Sequence, residues 1–283
     1  MRIAGRVALV TGGGGGIGAA LARRLAAGGA AAVVIADIDR PTAAALAHEV
    51  GGDFHVVDVG DRCAVEAMVA AVLARHGRID LLCANAGVIE GSGLPVAGDE
   101  TFGGVFASDE AWLRSWSVNL MGQVHAIRAV LPAMLGRGEG HLLVTASAAG
   151  LLTDLGSLAY TVTKHASVGL AEWLAITYRG RGIGVSCLCP MGVRTSMLEA
   201  AQARGEAAHL TADAIDAETV AAVAVEGIES NRFLILPHPQ VSAYFRGKAD
   251  DPERWIEAMS RHRARLYGEW SPSPERPDGG EVR

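Results

Sequence analysis

Short apolar runs alternate with longer amphipathic ones through most of the chain. Residues 7–11, 32–37, 54–57, 80–84, 141–146, 184–189 and 233–236 read as strands, apolar along their whole length and therefore covered on both faces. Helical spacing predicts helices over 17–27, 41–50, 62–76, 109–135, 158–178 and 218–229. Pro41 stands near a first helical turn, and Ser108 before Asp109 and Glu110 suits an N-cap followed by acids at the positive helix end. Strand and helix in strict alternation imply an α/β fold, a doubly wound parallel sheet of about seven strands with helices on both faces. Two segments break the rhythm, 91–107 after the fourth strand and 194–216 after the sixth. Long connections at the carboxyl ends of strands usually serve a site.

The alternation fills 1–240, which reads as one dinucleotide-binding and catalytic domain. Residues 241–270 form a helical extension, packed on the domain or on a neighbouring subunit. In it, Trp255, Ile256, Met259 and Leu266 place an apolar stripe on a helix over 252–267. The last stretch, 271–283, is rich in Pro, Gly and charge and reads as a disordered tail. With half of its 283 residues hydrophobic, the chain can bury a large core. Its net charge of −6, without a basic stripe, argues against a nucleic-acid surface. The apolar run near the start is too short for a signal or membrane segment, so a cytoplasmic, non-membrane protein is expected. Cys63, Cys83, Cys187 and Cys189 lack CxxC spacing and read as free thiols. His141, His165, His209, His238 and His262 show no ligand spacing, so no metal is expected. Pro237-His238-Pro239 reads as a rigid turn, with bordering the site of a neighbouring subunit as the alternative.

The first strand runs into Thr11-Gly12-Gly13-Gly14-Gly15-Gly16-Ile17-Gly18 and then a helix. Glycines there let the backbone turn tightly and approach a pyrophosphate, which the helix amino end attracts. Asp37 ends the second strand nineteen residues after Gly18. A carboxylate at that place accepts from ribose hydroxyls and repels a 2′-phosphate, favouring NAD(H) over NADP(H). Arg40, the nearby cation, reads as a solvated helix-start residue rather than a phosphate clamp.

Tyr160 and Lys164 lie one helical turn apart, and Ser147 precedes the tyrosine by thirteen residues. An ammonium beside a phenol favours phenolate, which would help tyrosine exchange a proton near neutral pH. The TGxxxGxG loop, Asn85-Ala86-Gly87, Ser147 and the Tyr160-Thr161-Val162-Thr163-Lys164 motif together resemble the short-chain dehydrogenase/reductase family, over about residues 3 to 240. The resemblance implies a Rossmann fold, NAD as cofactor, and interconversion of a secondary alcohol and a ketone. In it Tyr160 is the general acid/base, Ser147 binds the substrate oxygen, and Asn119 completes a proton relay. Lys164 also binds the nicotinamide ribose beside Tyr160. Gly12, Gly16, Ile17 and Gly18 would hold the pyrophosphate, Asp58 and Val59 the adenine, and Asn85, Ala86 and Gly87 would border the cofactor. Pro190, Val193 and Thr195 keep the spacing of the segment near the nicotinamide, but Met191 stands where the family usually has glycine.

Leu151, Leu152, Leu155 and Leu158 precede Tyr160 or flank it, and Met197, Leu198 and Leu210 follow Thr195. If they line the pocket, it is apolar, with Leu152, Leu155 and Met197 as the substrate contacts and a hydrophobic or alicyclic alcohol or ketone as substrate. The family implies a homotetramer, possible also as a dimer, with helices 109–135 and 158–178 between subunits; their alanines (126, 129, 133, 166, 171, 175) could equally face the sheet. An NADPH-dependent carbonyl reductase and a non-catalytic dinucleotide-binding scaffold are the alternatives. Asp37 opposes the first, and the complete Ser147, Tyr160, Lys164 and Asn119 set opposes the second.

Overall fold

The computed structural model describes residues 1–93, 103–203, 208–211 and 213–267. The expected tail 271–283 lies outside them, as do the end of the helical extension and parts of both long connections. The chain begins β1 (Val7–Thr11), α1 (Gly16–Ala27), β2 (Ala32–Asp37), α2 (Arg40–Val50), β3 (Asp53–Val56), α3 (Arg62–His76), β4 (Leu81–Ala84). Next come α4 (Asp109–Trp116), a π-helical turn (Ser117–Met121) and α5 (Gly122–Arg137), then β5 (Gly140–Thr145), α6 (Leu158–Tyr178) and β6 (Ile183–Leu188). The rest is β7 (Val193–Arg194), α7 (Ser196–Ala203), α8 (Ala208–Thr211), β8 (Ile215–Asp216), α9 (Ala217–Glu229), β9 (Leu234–Ile235), α10 (Gln240–Asp250) and α11 (Pro252–Tyr267).

Seven strands pair in parallel in the order β3-β2-β1-β4-β5-β6-β9. The order reverses between β1 and β4, which opens a crevice at their carboxyl ends. Successive strand residues point to opposite faces. Leu82, Leu142 and Val144 thus enter one core with Val69 of α3, Val130 of α5 and Leu174 of α6. Leu81 and Leu143 enter the other with Leu21 of α1, Leu46 of α2 and Val220 of α9. Ala126 and Ala171 are fully buried in the first core, so these two alanines face the sheet.

Three departures from the sequence expectation are local. The fourth strand is regular only from Leu81, although the Asp80 amide and carbonyl bond to Val7 and His141; its buried carboxylate also accepts from the Val7 amide at 2.9 Å and pairs with Arg78. The helix expected over 109–135 is regular only up to Trp116, where a π turn inserts before α5. Such a turn is one extra residue inside an otherwise helical pattern and leaves little trace in periodicity. Helix α10 falls within the expected helical extension 241–270, but its sequence marks no separate helix, since its apolar residues form no regular stripe and only Val241 is buried. The stripe on α11 divides, since Trp255 packs against the core while Ile256 is 66% exposed. Among the described residues no helix is long and apolar enough to cross a membrane.

Candidate functional site

A cavity of about 790 Å³ follows the carboxyl ends of the strands from β2 across the reversal point to β6, and the C-terminal helices close its outer side. One end is built by backbone. Gly12 has φ +61°, and a Cβ there would lie 2.7 Å from Ala86 Cα. A Cβ on Gly18 would collide with the Gly12 carbonyl and lie 2.7 Å from Asn85 Nδ2. Gly12, Gly16 and Ile17 line the cavity, whereas Gly18 stands behind it and permits α1 to pack on the loop. Helix α1 has no side-chain cap at Gly15, so its first amides are left to an anion. Asn85 Nδ2 donates to the carbonyls of Thr11 and Gly12, both at 3.2 Å, which ties the end of β4 to the loop. Ala86 and Gly87 continue the same wall.

Asp37 lies at the end of β2 on the cavity wall. Its carboxylate accepts from the amides of Gly14 (2.8 Å) and Asp39 (3.0 Å), which fixes its orientation and leaves lone pairs on both oxygens. Arg40 instead lies over the Phe54 ring, 5.6 Å from its centroid, and is absent from the wall. Asp58 and Val59 border the next stretch. Burial raises the Asp58 carboxyl, but Arg114 at 2.8 Å and the Gly60 amide outweigh it, and the net shift is downward. The Val59 carbonyl accepts from His125 Nδ1 at 3.1 Å. These surfaces fit a dinucleotide: a side-chain-free cradle with open amides for phosphates, then a carboxylate at the end of the next strand for ribose hydroxyls.

Ser147, Tyr160 and Lys164 stand together at the other end. Ser147 follows β5 in extended conformation; its Oγ accepts from the Ala149 amide (3.1 Å) and donates to the Pro190 carbonyl (3.4 Å). Ser157 caps α6 by accepting from the Tyr160 amide, which sets Tyr160 in the first turn. Lys164 follows one turn later, 3% exposed, with Nζ donating to the Thr145 carbonyl at 3.0 Å and lying 5.4 Å from the Tyr160 ring centroid. Burial pulls the Lys164 ammonium down to about 8. It also pushes the Tyr160 phenol up to about 12, with Asp154 reinforcing and a hydrogen bond to Ser147 opposing. The lysine by itself therefore does not acidify this phenol, contrary to the simple expectation from their spacing.

Asn119 sits in the π turn and is fully buried, off the cavity wall. Its Oδ1 accepts from the Val88 amide (2.8 Å) and its Nδ2 donates to the Val88 carbonyl (3.0 Å) and Thr163 Oγ1 (3.1 Å). The side chain is thus committed to holding the strand-end loop against α6. Pro190, Val193 and Thr195 line the cavity opposite the glycine loop, with Thr195 Oγ1 donating to the Val193 carbonyl at 3.2 Å. Leu152, Leu155 and Met197 are on the wall, as are Leu198 and Leu210; Leu151 is instead buried in the core and Leu158 is not on the wall.

Sequence reasoning missed four wall residues from the C-terminal helices: Tyr244 of α10 and Trp255, Met259 and His262 of α11. The apolar spacing on α11 was the available signal, but it did not say what the stripe covers. Lys248 Nζ fastens α10 to the Leu151 carbonyl at 2.8 Å. The Pro237-His238-Pro239 segment, expected as a rigid turn, holds His238 2% exposed and bonded to Met191 and Gly192 of its own chain.

Comparison with known proteins agrees with this geometry. The family pattern described as short chain dehydrogenase matches residues 6–206. Oxidoreductase UcpA of Escherichia coli strain K12 is 37% identical over 166 residues, 56% of this chain and 59% of that protein, so the match spans under two thirds of its length. The 1-deoxy-11-beta-hydroxypentalenate dehydrogenase of Streptomyces exfoliatus is 34% identical over 70% of this chain and 69% of its own. A short-chain dehydrogenase/reductase from Burkholderia phymatum, solved in complex with NAD, superposes with a TM-score of 0.76 at 31% identity, covering 92% of this chain and 96% of that one. From the seven-stranded sheet, the glycine cradle and these likenesses together, the chain belongs to the short-chain dehydrogenase family of oxidoreductases.

Proposed function

We propose that the protein interconverts a secondary alcohol and a ketone with NAD(H), acting on a hydrophobic or alicyclic substrate. The observation that carries this reading is the placement of Ser147, Tyr160 and Lys164 on one cavity whose far end is the glycine cradle and Asp37. The dinucleotide, when bound, supplies the hydride acceptor and a positive charge near the phenol. This chain's residues do the rest. Ser147 Oγ holds the substrate oxygen, Tyr160 Oη takes or returns its proton, and the Lys164 ammonium acts together with the positive charge of the bound dinucleotide to offset the burial that raises the phenol. Asn119 serves a proton relay by fixing the Val88 loop and α6 around Lys164, rather than with a free amide. The drier the site, the more each of these interactions is worth.

Asp37 supports NAD over NADP, since a 2′-phosphate would face its carboxylate. Arg40, occupied over Phe54, gives no counter-charge. Leu152, Leu155, Met197, Trp255 and Met259 support an apolar substrate body, and the relative acting on a hydroxypentalenate is consistent with an alicyclic one. Exposed Trp116, Val162, Trp173 and Ile176 on α4 and α6 favour burial against further copies, and the homotetramer is our proposed assembly; the cytoplasm is our proposed location. The test is an absorbance screen for reduced nicotinamide, with NAD⁺ and NADP⁺ each offered a panel of linear, cyclic and aryl secondary alcohols. Preference for NAD⁺ with cyclic alcohols is the expected result. Turnover confined to small charged hydroxy acids would overturn the substrate class, and preference for NADP⁺ would overturn the role given to Asp37.

A further inference from the structure

His238 occupies the turn between β9 and α10, with Pro237 and Pro239 fixing the backbone on either side. It is a buried polar side chain, 2% exposed, and both ring nitrogens are bonded. Nδ1 lies 3.1 Å from the Met191 amide, which can only donate, and Nε2 lies 3.1 Å from the Gly192 carbonyl, which can only accept. These partners dictate one neutral tautomer, with the proton on Nε2. The imidazole therefore grips the Met191 amide and the Gly192 carbonyl, the peptide groups on either side of the Met191–Gly192 bond, and Pro190, Met191 and Gly192 all line the cavity.

The grip continues to Ser147. The Pro190 carbonyl accepts from the Ala148 amide at 2.7 Å and from Ser147 Oγ at 3.4 Å. On the other side, the Gly192 carbonyl also accepts from the Ile215 amide at 3.1 Å, which joins the segment to the small β7–β8 sheet. Met191 stands where a glycine is usual in chains with these motifs. Burial holds the ring below its usual pKa, against the hydrogen bond to the Gly192 carbonyl and the backbone and charge of Asp213, which act the other way.

We infer that His238 is a positioning residue: it clamps residues 190–192 and, through the bond of the Pro190 carbonyl to the Ala148 amide, fixes the backbone that places Ser147 beside the reacting oxygen. The consequence for turnover rests on the proposed alcohol–ketone chemistry. The clamp itself does not, and it can be read without a substrate.

Three variants separate the clamp from simple packing. His238→Phe keeps a ring and loses both bonds, His238→Asn keeps an acceptor near Nδ1, and His238→Gln keeps a donor near Nε2. Hydrogen-exchange mass spectrometry on peptides covering 145–150 and 189–194 gives the substrate-free readout. Losing the bonds in His238→Phe should speed exchange in both peptides by about tenfold, and His238→Asn should restore protection in the second. With a substrate from the alcohol panel, His238→Phe should lower kcat about tenfold while the NAD dissociation constant stays within about threefold. His238→Asn and His238→Gln should recover part of that loss. The inference falls if His238→Phe leaves exchange in 145–150 unchanged. It also falls if all three variants lose kcat in proportion to thermal stability alone, which is what a packing residue would do. If instead Tyr160→Phe has no effect on turnover, the catalytic reading fails while the exchange data still decide the clamp.

Discussion

The two ends of the cavity are built in opposite ways. At the glycine loop the surface is backbone: Gly12 and Gly16 at positive φ, open amides of α1, and strand ends held by Asn85. At the outer wall it is side chains on separate helices, Met197 and Leu198 from α7, Tyr244 from α10, and Trp255 and Met259 from α11. Any dinucleotide offers the same phosphates, so a backbone cradle with little side-chain content suffices for it. A substrate is recognised by shape and apolar area, and that requires particular side chains brought from distant parts of the chain. Between the two ends lie Ser147, Tyr160 and Lys164, which belong to neither scheme because in the proposed reaction they carry the chemistry.

The sharpest cut through this division is Tyr160→Phe. It should lower kcat/KM by about a thousandfold and leave NAD affinity nearly unchanged, as titration calorimetry beside steady-state kinetics would register. Gly12→Ala attacks the backbone end. Its Cβ would stand 2.7 Å from Ala86 Cα at a φ of +61°, so NAD affinity should weaken by about a hundredfold at unchanged preference among alcohols. Equal losses for every alcohol confirm the separation, whereas a changed substrate order would break it.

Lys164 tests how dry the junction is. The unfolded ammonium titrates near 10.5 and the folded one near about 8. Between these values the unfolded chain binds more protons, so this group's contribution to stability rises with pH from about 8 and is complete above 10.5. Denaturant titrations of the wild type and Lys164→Met across that window should show the wild type gaining roughly 2–3 kcal/mol relative to the variant. Parallel curves would mean that the ammonium is well solvated. Trp255→Ala probes the outer wall. It should raise KM for a cyclic alcohol about tenfold and leave NAD affinity within about twofold, since the indole packs on the core and faces the cavity. The smallest effect concerns Thr153, a β-branched residue on the wall with φ +100°. Thr153→Gly should relieve about 1 kcal/mol of strain and raise the melting temperature by a few degrees.

Much of the cofactor end was legible because it is contiguous. A strand, a glycine run, a helix and an acid at the next strand end are local features, and their spacing is fixed by the length of one β-α-β unit. Tyr160 and Lys164 were legible for a similar reason, one helical turn on a single helix. The π turn at 117–121 was not, because one inserted residue hides inside a helical pattern. Nor was the commitment of the Asn119 amide to Val88 and Thr163, since those partners lie 31 and 44 residues away in the chain. The four cysteines read as free, and the structure has them free. For Leu151 and Leu155 the sequence offered the same apolar character, yet one is core and the other is wall.

The sequence alone determined an α/β fold of about seven parallel strands alternating with helices, a glycine-rich turn after the first strand, and a tyrosine–lysine pair on one helix. These follow from local periodicity and from the intolerance of tight turns for side chains. Only the tertiary structure decided that α10 and α11 wall the cavity, that burial drives Tyr160 and Lys164 toward their neutral forms, and that a histidine after the last strand holds the segment next to Ser147. Those three depend on which surfaces lose water together. Solvent exclusion is a property of the packed assembly of distant segments, and no single stretch of residues encodes it.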